Sequence, residues 1–311
     1  MRKFWNGPGL IMVAAGLWAA DGLFRATLTQ TIPASSIVFF EHVIGFLILI
    51  PFFVKGIPSF KKLTKKDWGV ALLLTLVSSV LGTILFTESL AKAFEVFDFA
   101  TPILLQKLQP VFVIGLSWLI LKEKLSIKFL GLTIIALIGS YLISFGGEAI
   151  NLQFEGKELV YILAIGAAFA WGAGTIMSKY ILKKLSFTEA TSLRFLLAIP
   201  VSLIFVFALK ETYSPLDLDF SQIWRFVVIA FTTGAGAIVI YYRGLRNTEA
   251  KVATIAELTF PVVSIAIAIT NLNPYGDAQK LLLTNVFGIV ILLISIIIIG
   301  FDHAESQKSK Q

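Results

Sequence analysis

The feature that most constrains this chain is a recurring block of about 20 residues that is apolar on every side. A helix on the surface of a soluble domain carries an apolar stripe with polar faces between, and these blocks do not. They match what a bilayer core of ~30 Å demands of a helix rising ~1.5 Å per residue. Strands are a poor alternative, because the blocks are too long and lack in–out alternation. Composition agrees: 57% of the residues are hydrophobic and 14% are charged, against roughly 45–50% and 25% in soluble domains. The expected class is an all-α membrane protein whose main surroundings are a lipid bilayer.

Several functions drop out early. The chain has no cysteine and two histidines, so it offers no disulfide framework and no zinc-ligand pattern. No metal, cofactor or catalytic constellation is expected. A net charge of +7 would suit nucleic acid, but the basic residues sit in alternate loops, so no nucleic-acid partner is expected. Arg2 and Lys3 precede the first block as they would in a secretory leader. Trp18, however, would hold the −3 position of any cut after Ala20, where a small residue is needed, so the segment is expected to stay.

The blocks place about ten spans, at residues 9–28, 35–54, 68–88, 98–120, 127–145, 158–178, 189–209, 223–242, 250–271 and 281–301. The loops test that count. With the N-terminus inside, the cytoplasmic pieces hold Arg2 and Lys3, the Lys55–Lys66 cluster, then Lys122, Lys124 and Lys128. They continue with Lys179, Lys183 and Lys184, then Arg243, Arg246 and Lys251, and finally Lys308 and Lys310. On the opposite side Lys92, Lys157, Lys210, Arg225 and Lys280 are diluted by Glu148, Glu155, Glu211, Asp217, Asp219 and Asp277. The positive-inside rule holds in every loop, which a miscounted helix would break. Both termini are expected in the cytoplasm, with the chain in the cell membrane as a monomer or homodimer.

The two halves also resemble each other. Ala15–Ala20 reads AGLWAA and Ala168–Ala173 reads AFAWGA, placing Trp18 on Trp171 and, at the same shift, Glu41 on Arg194. Leu108–Val111 matches Thr259–Val262 and so aligns Pro110 with Pro261, while Leu130-Gly131 matches Phe287-Gly288. Each half then holds five helices, an odd number, so the second half enters the membrane from the other side. Two inverted five-helix repeats, residues 1–147 and 148–311, are the expected organisation.

Around the two tryptophan segments, the helix with Leu108-Gln109-Pro110-Val111-Phe112 and the following Leu121-Lys122-Glu123-Lys124-Leu125, the chain resembles the EamA-like ten-helix carriers of the drug/metabolite transporter superfamily. The resemblance covers essentially residues 8–301. It implies a 5+5 inverted repeat with cytoplasmic termini, and transport of small organic solutes ranging from amino acids to nucleotide sugars and drugs. The second repeat departs from the pattern after Pro261, where Asn271–Asp277 replaces a Gly-Glu-basic closure.

Charges deep in a span are costly and therefore point to function. Counting rise from the expected ends, Asp21 and Glu41 lie ~10 Å below the non-cytoplasmic boundary, Arg25 ~5 Å and Lys107 ~13 Å. Lys107 sits beside Gln106. Arg194 and Glu257 lie ~8 and ~11 Å from the cytoplasmic boundary. The outer four charges balance, as do the inner two. One reading makes them a polar cavity in which Lys107 or Arg25 attracts an anionic group and Glu41 or Asp21 takes an amine or a proton. The other makes them helix-orienting ion pairs, with Arg25 snorkelling to the interface. His42 points ~100° away from Glu41 on a helix, so no couple between them is implied. Trp18 and Trp171 sit mid-span, lining a cavity or packing between repeats. Pro110 and Pro261 each remove a backbone hydrogen bond mid-helix and serve as kinks or hinges. The substrate or ion pathway is expected at Trp18, Asp21, Glu41, Gln106, Lys107, Trp171, Arg194 and Glu257. The runs Gly172–Gly174 and Gly234–Gly236 are expected to be close-packing surfaces. The last helix, nearly all Ile, Leu and Val, is expected at the periphery.

These features favour a secondary carrier that moves a small polar or amphipathic metabolite, amino acid-like or nucleotide-related, by alternating access, with export among the directions left open. There is no Walker motif and no soluble nucleotide-binding domain. A channel is the second reading and a membrane-embedded enzyme the third.

Overall fold

The computed structural model describes residues 2–95, 100–146, 156–274 and 276–306. Asp98, Glu148, Glu155, Lys308 and Lys310 lie outside them. Every regular element among the described residues is helical. We number the membrane helices α1 (Lys3–Leu28), α2 (Ala34–Phe60), α3 (Lys65–Ala93), α5 (Ile127–Phe145), α6 (Glu158–Ile181), α7 (Phe187–Ala208), α8 (Phe220–Arg246), α9 (Ala250–Ala268) and α10 (Leu283–Ser306). These nine are long and apolar enough to cross a membrane. Between α3 and α5 lies α4, in two pieces, Ala100–Gln106 and Gln109–Ile120. The starts follow local chemistry. Thr64 with Asp67, Ser186 with Glu189 and Asp219 with Gln222 form capping boxes that satisfy the first free N–H groups of α3, α7 and α8.

Four helices depart from regular α geometry near mid-span. In α4 the break falls at Lys107–Leu108, where Leu108 N–H donates to the Leu105 carbonyl and Val111 N–H to Leu108, both at 3.0 Å. Pro110 has no N–H to offer the Gln106 carbonyl, which prevents α-helical continuation across that turn. In α9 the break falls at Glu257–Leu258, with Phe260 N–H on the Glu257 carbonyl at 3.0 Å and Pro261 next in sequence. The breaks fall beside Pro110 and Pro261, where kinks or hinges are expected, and α9 ends at Ala268 rather than near residue 271. A π-helical stretch, Thr75–Leu81, widens α3. The α8 helix is interrupted between Phe231 and Ala235, where Gly234 N–H reaches back to the Ile229 carbonyl at 2.6 Å.

Packing follows a paired pattern. Helix α2 lies along α7 and α5 along α10, while α1 packs on α8 and α9, and α6 on α3 and α4. Where α5 crosses α10 the backbones touch: a Cβ on Gly139 would lie 2.9 Å from the Gly288 carbonyl, and one on Gly288 2.8 Å from the Gly139 carbonyl. Gly131, the sequence match of Gly288, faces open space instead. Gly174 is also closely packed, since a Cβ there would meet the Ser78 side chain. On α10, Phe287, Val290, Ile294 and Ile297 are exposed while Gly288, Leu292, Ser295 and Ile299 are buried. That spacing gives one face to lipid and the other to α5. Phe4 stacks on Phe301 at 4.8 Å, so the first and last helices meet at one face of the bundle, called here the terminal face.

Candidate functional site

The pairing of helices leaves a central cavity of about 330 Å³, within the ~300–1,000 Å³ typical of small-molecule sites. Trp18, Asp21, Glu41, Gln106, Lys107, Pro110, Trp171, Arg194, Glu257 and Pro261, all singled out from sequence, line it. The two tryptophans are placed alike. Trp18 of α1 meets Tyr241 of α8 at 5.1 Å, and Trp171 of α6 meets Phe86 of α3 at 5.2 Å. Both therefore line the cavity and also pack between helices, so the two sequence alternatives coexist.

The charges are partnered differently from what depth alone suggests. Arg25 is buried, not snorkelling. Its guanidinium pairs with Asp21 one turn earlier, donates to Glu41 Oε2 at 2.9 Å, and reaches Thr87 Oγ1 at 3.4 Å. Thr233 at the α8 interruption donates to the other oxygen of Asp21. This first knot joins α1, α2, α3 and α8 with two carboxylates around one cation. Lys107 stands outside it, with its ammonium over the Phe260 ring at 3.4 Å.

Arg194 and Glu257 are not a pair either. Arg194 donates to Ser79, to Ser78 Oγ at 3.1 Å and to Tyr242 Oη at 2.7 Å, and Tyr242 in turn meets Ser178 Oγ at 2.9 Å. This second knot joins α3, α6, α7 and α8 through hydroxyls alone. Glu257 instead accepts from Tyr241 Oη and Gln109 Nε2, both at 2.7 Å. His42 turns to its own helix, with Nδ1 2.7 Å from the Val38 carbonyl. Sequence reasoning did not single out Ser78, Ser79, Thr87, Tyr241 and Tyr242. Serine and threonine are ordinary in membrane helices, and the tyrosines stand where an interfacial anchor would.

The two ends of the cavity differ. Toward the terminal face, Gln109–Ile120 of α4 packs against Ala250–Ala256 of α9. The Glu123 carboxylate, just past α4, accepts the N–H groups of Ala250 and Lys251 at 2.8 and 3.0 Å and so caps α9 from the loop that follows α4. Away from that face the lining runs out to Asn273, Pro274 and Gln279, beyond the end of α9.

A bundle of this size with a central cavity between paired, interrupted helices can be compared with known proteins. The family model described as the EamA-like transporter family matches residues 5–145 and again residues 158–301. The chain belongs to the EamA-like transporter family. The riboflavin transporter ImpX of Fusobacterium nucleatum subsp. nucleatum is 33% identical over 269 residues, covering 85% of this EamA-like chain and 89% of that protein. An uncharacterized transporter of Synechocystis is 28% identical, covering 81% of this chain and 70% of its own. One solved crystal structure superposes with a TM-score of 0.71 at 13% identity, over 92% of this chain and 93% of the other, which shows a shared fold. The EamA-like chain is thus a multi-pass integral membrane protein and a transporter of small metabolites.

Proposed function

We propose that this EamA-like protein is a secondary carrier of riboflavin or a close flavin analogue, working by alternating access between two inverted repeats. The observation that carries the substrate is the 33% identity to a riboflavin transporter along 89% of that protein. A cavity with Trp18, Trp171 and Tyr241 in its wall suits a flat aromatic ring system, because aromatic faces favour offset stacking.

Alternating access is supported by the pairing of helices. Exchanging α1–α5 for α6–α10 converts each principal contact into another: α2 with α7 and α5 with α10 map onto themselves, and α1 with α8 maps onto α6 with α3. The breaks at Lys107–Leu108 and Glu257–Leu258 are exchanged too. Interrupted helices at a repeat interface suit a carrier, in which one half rocks against the other around a fixed site. With the terminal face in the cytoplasm of a cell-membrane protein, as the loop charges suggest, the contact between α4 and α9 and the Glu123 cap close the inner side. A cavity reaching Asn273 then faces outward. A sealed inner side favours a carrier over a channel. The cavity lies within one chain, so a monomer suffices.

Counterflow in proteoliposomes is the test. Preloading with unlabelled riboflavin is expected to accelerate saturable entry of labelled riboflavin several-fold. Entry that neither saturates nor responds to preloading overturns the carrier. Failure of riboflavin to bind the purified protein overturns the substrate.

A further inference from the structure

Most polar groups in the cavity are committed to one another. Asp21 and Glu41 share Arg25, Glu257 takes Tyr241 and Gln109, and Arg194 takes three hydroxyls. Two neighbours at the α4 break differ. Gln106 Oε1 is buried with no hydrogen-bond partner among the described residues. Lys107 is buried with its ammonium on the Phe260 ring, and Glu257 attracts it only from beyond ion-pair distance.

An ammonium only donates hydrogen bonds, and a carboxamide oxygen only accepts them. Consecutive at the α4 break and both on the cavity wall, they supply a donor and an acceptor for a ligand edge that offers a carbonyl oxygen next to an N–H. With Oε1 rather than Nε2 turned to the ligand, a carboxylate or phosphate would satisfy Lys107 but set a second acceptor against Gln106, and an amine would do the reverse. A buried acceptor without a donor is costly, so a ligand supplying the missing hydrogen gains affinity from it.

We propose that Gln106 and Lys107 read a cyclic imide edge, –C(=O)–NH–C(=O)–, of a planar heterocycle held among the cavity's aromatic side chains. Gln106 Oε1 accepts the imide N–H and Lys107 donates to an adjoining carbonyl. The isoalloxazine ring carries such an edge, so the inference rests on the riboflavin reading and specifies which side of the ring is recognised.

The test follows quenching of flavin fluorescence by the purified full chain. Wild-type protein is expected to bind 3-methylriboflavin, which lacks the imide N–H, at least tenfold more weakly than riboflavin. Gln106→Met is expected to bind the two within about twofold of each other, because the acceptor is gone. Lys107→Met is expected to bind riboflavin at least tenfold more weakly while unfolding at no lower a temperature, since a buried cation without an anion is removed. Equal binding of both flavins by wild type, or discrimination that persists in Gln106→Met, overturns the proposal. If Gln106→Met does not fold, the two-ligand comparison on wild type decides alone. Should riboflavin fail to bind while lumichrome binds and its imide-methylated form does not, the riboflavin reading falls and the imide edge stands. If no cyclic imide binds, both fall.

Discussion

At the scale of single residues, Arg25 holds the first knot together. It is the one cation between the buried Glu41 and the partly buried Asp21, and its removal leaves the two carboxylates without compensation. Breaking a buried pair by deleting one partner costs about 3–5 kcal/mol. Arg25→Met is therefore expected to lower thermal stability in detergent much more than Asp21→Asn, which leaves Arg25 with Glu41; equal losses would contradict this partnership. Sequence gave the depth of these charges but not their partners. Rise per residue placed Arg25 near the boundary, where snorkelling is the cheaper outcome, and only the fold brings Glu41 of the next helix within reach. Charge balance likewise suggested Arg194 with Glu257, whereas hydroxyls from α3 and α8 meet Arg194 first. Hydroxyl partners carry no charge and leave no mark on such a balance.

At the scale of elements, Pro110 and Pro261 were legible as kinks because each lacks an N–H, although Pro51, Pro58 and Pro200 lie within continuous helices. The irregular turn of α3 was not legible, since Thr75–Leu81 contains neither proline nor glycine. The Glu123 cap was visible only as part of a family-like motif. Its role depends on the N-terminus of α9, over a hundred residues along the chain. Losing a cap costs about 0.5–2 kcal/mol. Glu123→Ala is thus expected to loosen the terminal-face contact between α4 and α9. The chain has no cysteine, so Val113→Cys, buried in a cluster with Ala250, reports this directly. Its labelling by a thiol reagent from the terminal face is expected to rise roughly 5–10-fold in the Glu123→Ala background. Unchanged labelling would deny the cap any part in closure.

At the scale of the whole molecule, the ten spans were legible because bilayer thickness imposes a length. The approach of α5 to α10 was not legible: the repeat match of Gly131 with Gly288 names equivalent positions, and it is Gly139 that meets Gly288. Every glycine in an apolar run looks alike until the crossing point is known. Gly139→Leu is expected to separate the two helices and abolish folding or reduce the yield of monodisperse protein severely, whereas Gly131→Leu leaves both near wild type. Size-exclusion profiles of the two variants check this.

The two polar knots occupy exchangeable places in the frame, yet one is held by ions and the other by hydroxyls. In the alternating-access carrier proposed above, opening one end and opening the other therefore do not cost the same. For a passive carrier, detailed balance still forbids a preferred direction at zero gradient. The inequality must then surface elsewhere, as a half-saturating concentration on one side of the membrane that differs from the other, offset by maximal rates that differ in the same ratio.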